Sequence, residues 1–189
     1  DEINDISQLP TQCKHGYIVK VANSGDDDDD YYLKFKGDND LDGPGAWIEC
    51  AKPGIKNKLD PATMPMQIVR LDTGAFQVQQ PNDGVNPWGV RDVGEGSDDD
   101  GANTNPEPSF VGSTINNILF WRNRIVLLSD ANAICSRPGG DNLTNPNFWV
   151  NTALTISPDD PIDLSASSTS PAKLFDGIEV TAGLVLMSA

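Results

Sequence analysis

Turn-forming residues dominate this chain and constrain its fold more than any single motif does. The 189 residues include 23 Asp, 17 Gly and 14 Pro, against only 5 Glu. Asp, Gly and Pro favour turns and are poor helix formers. This composition argues against a helical bundle or a coiled coil and favours short strands joined by many loops. We therefore expect a mainly β protein with few short helices.

Net charge sets a second limit on what the chain can do. The sequence carries 28 acidic and 13 basic side chains, which gives a formal charge of −15. Such a surface repels phosphates, because it has few cations that could displace the counterions condensed on DNA. We expect any DNA that meets this chain to pass without specific binding. The length allows one or at most two domains, and an apolar share of 38% is enough to form a core.

Alternating apolar and polar residues predict three strands in the first fifty residues. The runs at 16–22, 31–36 and 46–50 follow this pattern and read as an antiparallel meander. Five consecutive aspartates, Asp26–Asp30, separate the first two runs and are expected in a solvated loop. A further hairpin is predicted around the turn Asp72-Thr73-Gly74.

The second half of the chain is more apolar. Residues 93–108 lack a periodic pattern and are interpreted as a loop or boundary between a domain at 1–92 and a β-rich segment at 109–189. Strands are predicted at 115–121, 124–129 and 132–136, then from Ile162 and in the last apolar segment, and a helical turn is predicted at 148–154. We expect antiparallel strands in small sheets or a sandwich, with propeller-like blade strands in the C-terminal half.

One acidic segment has the spacing of a calcium-binding loop. In DNDLDGPGAWIE, the residues Asp38, Asp40 and Asp42 occupy the first, third and fifth positions of the EF-hand pattern, and Glu49 occupies the twelfth. Carboxylate oxygens at this spacing can supply the hard ligands that calcium requires. The flanking patterns predict strands instead of helices. An acidic hairpin loop, in which Glu49 belongs to the next strand, is the alternative.

Residues for catalysis are scarce. The chain has one histidine, His15, and has neither a G-x-S-x-G motif nor a glycine-rich phosphate loop. Cys13 and His15 could form half of a zinc site, but two further ligands at usable spacing are missing. Cys13, Cys50 and Cys135 are odd in number and are expected to be reduced thiols. We expect no enzymatic activity and no cofactor other than calcium in the acidic segment.

Arginines and tryptophans are interpreted as structural residues. Arg122 and Arg124 follow an apolar strand, and Arg137 lies in SRPGG. In so acidic a chain they are expected to pair with carboxylates and to fix turns or subunit contacts. The four tryptophans are expected to be anchors in a core or an interface, with a sugar-binding platform as the alternative.

Several segments, taken in order, resemble the tail tubular protein B family, which is the nozzle subunit of short-tailed bacteriophages. The most distinctive are ATMP with a following VR, PSFVG with a following IN, NRI after a strand, and DDPID. The others are LPTQCKHGYIVKVA, YYLKFKG, AWIEC, AICSRPGG and NFWVNTAL. The acidic stretches at 26–30, 38–42 and 98–100 depart from the common pattern of the family.

This resemblance implies a structural virion protein of the phage tail, assembled in the host cytoplasm. It implies a six-fold ring of copies of the chain, placed below an adaptor ring of tail tubular protein A type. The ring would enclose the DNA ejection channel and hold tail fibre proteins. Members of the family are much longer than 189 residues, so the sequence is interpreted as an excerpt of a longer polypeptide.

Two other functions are compatible with the sequence. One is a phage tail module that binds or depolymerises polysaccharide, in which exposed tryptophans and an Asp pair would be the functional residues. The other is a secreted β domain stabilised by calcium. The sequence contains no apolar run long enough for a membrane span and no basic start typical of a signal peptide.

Overall fold

The computed structural model describes residues 1–22, 30–81, 88–96, 104–139, 146–153, 155–166 and 172–188. Within these ranges, thirteen strands and three 3₁₀ helices of three residues each are found. The expectation of a mainly β protein with few short helices is confirmed. The chain forms two compact units. The first comprises residues 1–57, 91–107 and 150–158, and the second comprises 58–90, 108–149 and 159–189.

A curled, mixed sheet of five strands forms a half-barrel in the first unit. Its strands are Glu2–Ile3 (β1), Gln12–Cys13 (β2), Ile18–Val21 (β3), Tyr31–Gly37 (β4) and Gly43–Cys50 (β5). The order across the sheet is β1-β3-β4-β5-β2. The predicted antiparallel meander is confirmed as β3-β4-β5. The sheet is mixed because β1 pairs with β3 in parallel, which the sequence pattern did not predict.

Alternation along β3 and β4 builds the core of the first unit. Val19 and Val21 are 3% exposed, and Val19 lies opposite the buried Leu33. Phe35 is fully buried and meets Trp47 of β5 edge-to-face, with ring centroids 5.2 Å apart. Apolar side chains on one side of the meander thus exclude water together, as period-two patterning requires.

The last residue of the aspartate run is buried, which corrects the expectation of a solvated loop at that position. Asp30 is 1% exposed, and its Oδ2 lies 2.6 Å from Nζ of Lys20 on the neighbouring strand. Its hydrogen bond with Asp30 raises the pKa of Lys20. A buried carboxylate is tolerated here because a cation compensates for its desolvation. Asp26–Asp29 lie outside the described residues.

The second unit begins with the predicted hairpin. Gln67–Arg70 (β6) pairs antiparallel with Phe76–Gln79 (β7). Between them, the N–H of Gly74 donates to the carbonyl of Leu71 over 2.8 Å, and Gly74 has a positive φ of 84°. Glycine adopts this conformation without steric cost, so the turn residues and the observed turn agree.

A four-stranded antiparallel sheet follows in the second unit. Its strands are Ile115–Trp121 (β8), Arg124–Ser129 (β9), Asn132–Cys135 (β10) and Ile162–Ser165 (β11), in the order β11-β10-β9-β8. The predicted strands at 115–121, 124–129 and 132–136 are confirmed to within one residue. Both faces of this sheet are covered by apolar residues, which explains why the sequence is nearly continuously apolar there.

The final hairpin covers one of these faces. Leu174–Val180 (β12) pairs antiparallel with Gly183–Ser188 (β13). The buried cluster beneath this hairpin includes Val126, Leu128, Ala133, Cys135 and Leu174. The cluster on the other face of the sheet contains Leu59, Trp88, Phe110, Leu127, Ile134, Phe148 and Trp149. The second unit therefore has a core of two layers, one on each side of β8-β9-β10.

The helical turn predicted at 148–154 is wrong for the residues described there. Residues 148–153 alternate between irregular backbone and bends, and Leu154 lies outside the described residues. Asn147 Oδ1 accepts from the backbone N–H of Trp149, and Glu49 Oε1 accepts from the N–H of Ala153. The N–H of Ala153, which a helix over 148–154 would use internally, thus donates to a side chain from another part of the unit.

The expected arrangement of small antiparallel sheets is confirmed, whereas the sandwich and the propeller-like blades stay predictions. The boundary expected at residues 93–108 also stays a prediction. No helix in the described part of the chain has the length and apolar character needed to cross a membrane.

Candidate functional site

The acidic segment is split between a turn and a strand. Asp38–Asp40 form a 3₁₀ turn in which Asn39 and Asp40 have φ values of 55° and 60°. Asn and Asp adopt this left-handed region more readily than other residues that carry a Cβ. Asp42 Oδ1 accepts from the backbone N–H of His15 over 2.8 Å, and Asp40 Oδ1 lies 4.0 Å from His15 Nδ1. Two of the predicted calcium ligands therefore face the single histidine.

Glu49 lies far along strand β5 from these carboxylates. The segment Gly43–Cys50 is extended, so Glu49 is about 20 Å along the strand from Gly43 at 3.3 Å per residue. Its carboxylate accepts from Thr152 Oγ1 at 3.0 Å and from the N–H of Ala153 at 2.8 Å. Glu49 thereby fastens residues 152–153 to β5 within the first unit.

The calcium site stays a prediction. Among the described residues, no group of three or more His, Cys, Asp or Glu side chains is placed to hold a metal ion. The acidic cluster Asp98–Asp100 lies outside those residues. If calcium binds the native protein through the acidic turn, it should raise the melting temperature, and Asp40→Ala should remove that rise.

The three arginines take different positions in the second unit. Arg124 is 8% exposed, and its Nη1 donates to the carbonyls of Ser136 at 2.7 Å and Asp160 at 2.8 Å. Arg122 is exposed in the β8–β9 turn, where its guanidinium lies 5.0 Å from the ring centroid of Trp121. The backbone N–H of Arg137 donates to the carbonyl of Asn147 over 2.7 Å. Arg124 thus joins β9 to two loop segments through backbone carbonyls.

The tryptophans pack inside the units, which confirms their interpretation as core anchors. Trp88 and Trp149 are buried on one face of the β8–β11 sheet, and Trp121 packs against the cluster on the other face. Trp47 packs against the core of the first unit, and its Nε1 donates to the carbonyl of Pro10 over 2.9 Å.

Sequence reasoning missed a buried polar strap at residues 91–96 of the first unit. The guanidinium of Arg91 is buried and donates to the carbonyl of Lys56. The backbone of Gly94 forms a β-bridge with Ala51, which directly follows β5.

A buried carboxylate lies in the same strap. Glu95 is 3% exposed, and its Oε2 lies 3.6 Å from Nζ of Lys52. Burial, reinforced by Glu95, raises the pKa of the Tyr32 hydroxyl. The only sequence signal was the GEG pattern, which permits positive φ at Gly94 and Gly96.

An apolar groove also lies in the first unit. It encloses about 420 Å³ and is lined mainly by Leu9, Pro10, Tyr31, Leu33 and Trp47. These side chains offer contact area and one phenol, and they provide no nucleophile paired with a base. The groove is suited to packing against another apolar surface.

Comparisons with known proteins identify the family to which this chain belongs. The chain matches the family model described as bacteriophage nozzle protein over residues 1–189. It is 31% identical over 183 residues to the tail tubular protein gp12 of Escherichia phage T7. That match covers 96% of this chain and 20% of the relative, so the chain spans about a fifth of the relative's length. The resemblance read from the sequence is confirmed: the chain belongs to the bacteriophage nozzle protein family.

Proposed function

We propose that the polypeptide carrying this chain is a non-enzymatic structural subunit of a phage tail nozzle. Family membership over residues 1–189 is the observation that carries this proposal. The T7 relative is named a tail tubular protein, which supports a place in the tail. Copies of the subunit assemble into a six-fold ring below an adaptor ring, and the ring encloses the DNA ejection channel. Tail fibre proteins attach to it.

Charge supports the passage of DNA through such a ring without specific binding. The net charge of −15 includes exposed carboxylates such as Asp38, Asp40 and Asp42. A channel wall of this kind offers few cations to release the counterions of DNA, so the duplex can slide without being held. Outside the virion, the same charge keeps unassembled subunits apart in the host cytoplasm, where the tail is assembled.

The antiparallel sheet β8–β11 supports a propeller-like arrangement in the C-terminal half of the chain. Four strands that run up and down in sequence order have the size and topology of one propeller blade. Division of the chain into residues 1–92 and 109–189 belongs to the same proposal. Among the arginines, Arg122 is the candidate for a subunit contact, because it is exposed at a turn.

The proposal is tested by assembly of the full-length polypeptide with its adaptor. The two proteins are mixed, and the resulting species are separated on a density gradient. Their masses are measured by native mass spectrometry. Co-migration with the adaptor ring, without release of sugar from host capsule, supports a structural subunit. Release of oligosaccharide by a polypeptide that never joins the adaptor would instead establish the polysaccharide-depolymerising alternative.

A further inference from the structure

Two hairpins of the second unit share one pairing register. In the first hairpin, β8–β9, Ile115 pairs with Ser129 and a bulge follows before the next pair. In the second hairpin, β12–β13, Leu174 pairs with Ser188 and a bulge follows at the same place. Adding 59 to each residue number of the first hairpin gives every pair of the second. A β-bulge is a specific feature of a strand pair and not a random irregularity. A bulge at the same position in both hairpins therefore indicates a repeated structural unit.

Seven apolar positions, three on one face and four on the other, are apolar again after the shift of 59 residues, whereas Ile118 and Phe120 correspond to Gly177 and Glu179. On one face, Ile115, Ile125 and Leu127 of the first hairpin correspond to Leu174, Leu184 and Leu186 of the second. On the other face, Leu119, Trp121, Val126 and Leu128 correspond to Ile178, Val180, Val185 and Met187. Every position in these two sets is apolar in both hairpins. The repeat therefore preserves two surfaces for packing as well as the register.

The second hairpin stacks on the first through one of these faces. Leu174, Leu184 and Leu186 pack against the cluster that contains Val126 and Leu128. A Cβ on Gly177 would lie 2.8 Å from Cδ1 of Leu119, so the two hairpins approach closely. The side chain of Asn116 donates to the carbonyl of Leu174, and that of Asn117 donates to the carbonyl of Phe175, both over 2.9 Å. This is an interface with both apolar packing and hydrogen bonds.

The remaining face of the second hairpin is exposed. Ile178, Val180 and Val185 are 54%, 43% and 51% exposed. In the first hairpin, the positions equivalent to Val185 and Met187 are Val126 and Leu128, and both are fully buried beneath the second hairpin. The exposed face thus has the chemistry and register of a face that is covered elsewhere in the same unit.

We propose that this exposed face is the seat of a third hairpin with the same register, contributed by the same polypeptide about 59 residues beyond the second hairpin. The interface between the first two hairpins is formed within one chain. The exposed face of the second hairpin lies on the side away from the first, so a third hairpin there extends the same stack. The matched relative is about five times as long as the aligned segment, which leaves room for further hairpins in a polypeptide of that length. The inference rests on the repeated register and on no property of the proposed ring.

A photo-crosslinker tests the occupant in the full-length polypeptide. Benzoylphenylalanine is placed at Val185, and the crosslinked peptides are identified by mass spectrometry after irradiation. The expected product has the mass of one chain and joins Val185 to a segment about 59 residues beyond the second hairpin. The control is the same group at Glu179, which is exposed on the neighbouring strand but belongs to the opposite face. That position should not give the same product.

A second measurement guards against disturbance by the bulky probe. Val185→Cys and Glu179→Cys variants of the full-length polypeptide are labelled with a maleimide, and the labelled peptides are quantified. A covered seat predicts labelling at 185 at least about tenfold slower than at 179. Equal rates would overturn the proposal, as would a crosslinked product with the mass of two chains, which would assign the seat to a second copy.

Discussion

At the scale of single residues, the buried charged groups Asp30 and Arg124 are each compensated by polar atoms from another segment of the chain. Asp30 belongs to a run of five aspartates, yet it is buried because Lys20 lies on the adjacent strand. Arg124 is buried as well, and its Nη1 donates to two backbone carbonyls. Both partners come from elsewhere in the chain. Local composition predicts that such groups need compensation, but it does not name the group that supplies it.

Removal of the Lys20 cation should destabilise the first unit. Lys20→Met leaves the Asp30 carboxylate buried without this partner, and we expect a loss of about 3 kcal/mol in the free energy of unfolding at pH 7. Lys36→Met, at an exposed position of β4, is the control with the same change in charge. Its effect should stay below about 0.5 kcal/mol in urea unfolding.

The Lys20 effect has a defined pH dependence. The folded state raises the pKa of Lys20, chiefly through its hydrogen bond with Asp30, so the stabilisation is complete below the unfolded pKa of about 10.4. It is lost as the pH rises through the folded value, because the amine then becomes neutral. As the pH rises from neutral, the difference in stability between wild type and Lys20→Met should therefore narrow only above about pH 10. A difference that narrows between pH 6 and 8 would refute this explanation.

Arg124 should contribute more to stability than its neighbour Arg122. Arg124→Met removes two charge-assisted hydrogen bonds from a buried position and should cost about 3 kcal/mol in urea unfolding. Arg124→Lys should lose less, since one cationic donor remains. Arg122→Met loses only an exposed contact with Trp121, worth about 0.5 to 1 kcal/mol. Equal losses for the two Met variants would contradict the assigned roles.

At the scale of strands and sheets, the alternation of apolar and polar residues predicts where most strands lie but few of their pairings. The positions of β4, β8 and β9 followed directly from apolar patterning between turn residues. The parallel pairing of β1 with β3 and the attachment of β2 to the β5 edge were not predictable, since two-residue strands carry no periodic signal. The contact of Glu49 with residues 152–153 is another long-range pairing that local spacing does not predict, while the calcium site stays a prediction.

Close stacking of the two repeated hairpins makes Gly177 sensitive to substitution. Gly177→Leu places a side chain against Leu119 and Leu186, and we expect a loss of about 1 to 3 kcal/mol from overpacking. Gly183→Leu, in the same hairpin, is the control, because a Cβ there meets no atom within 4 Å. In a double-mutant cycle, Leu119→Ala should recover part of the loss. Strictly additive effects would show that the two positions are not in contact.

At the scale of the whole molecule, the sequence predicts the fold class, the charge and the family, and it does not predict contacts between subunits. The described part of the chain is built from small sheets, and the full sequence is strongly acidic. Class, charge and family could be read from the sequence because they depend on composition and ordered motifs. Contacts between subunits could not, since they depend on surfaces whose partners lie outside one chain.

The acidic surface should leave DNA unbound. Duplex DNA mixed with the full-length polypeptide at 50 mM salt should give no saturable binding up to about 100 μM in fluorescence anisotropy. The physical reason is that binding would require cations to replace the counterions of DNA, and the net charge of −15 on these 189 residues opposes this. Micromolar binding that weakens steeply with added salt would show a basic tract that dominates the interaction.

Electron cryomicroscopy of the full-length polypeptide bound to its adaptor ring would decide whether this chain is part of a nozzle subunit. We expect six-fold density that caps the adaptor, with a continuous channel and with the sheet β8–β11 recognisable in each subunit. A polypeptide that remains monomeric in the presence of the adaptor, with no density added to the ring, would contradict the assignment as a nozzle subunit.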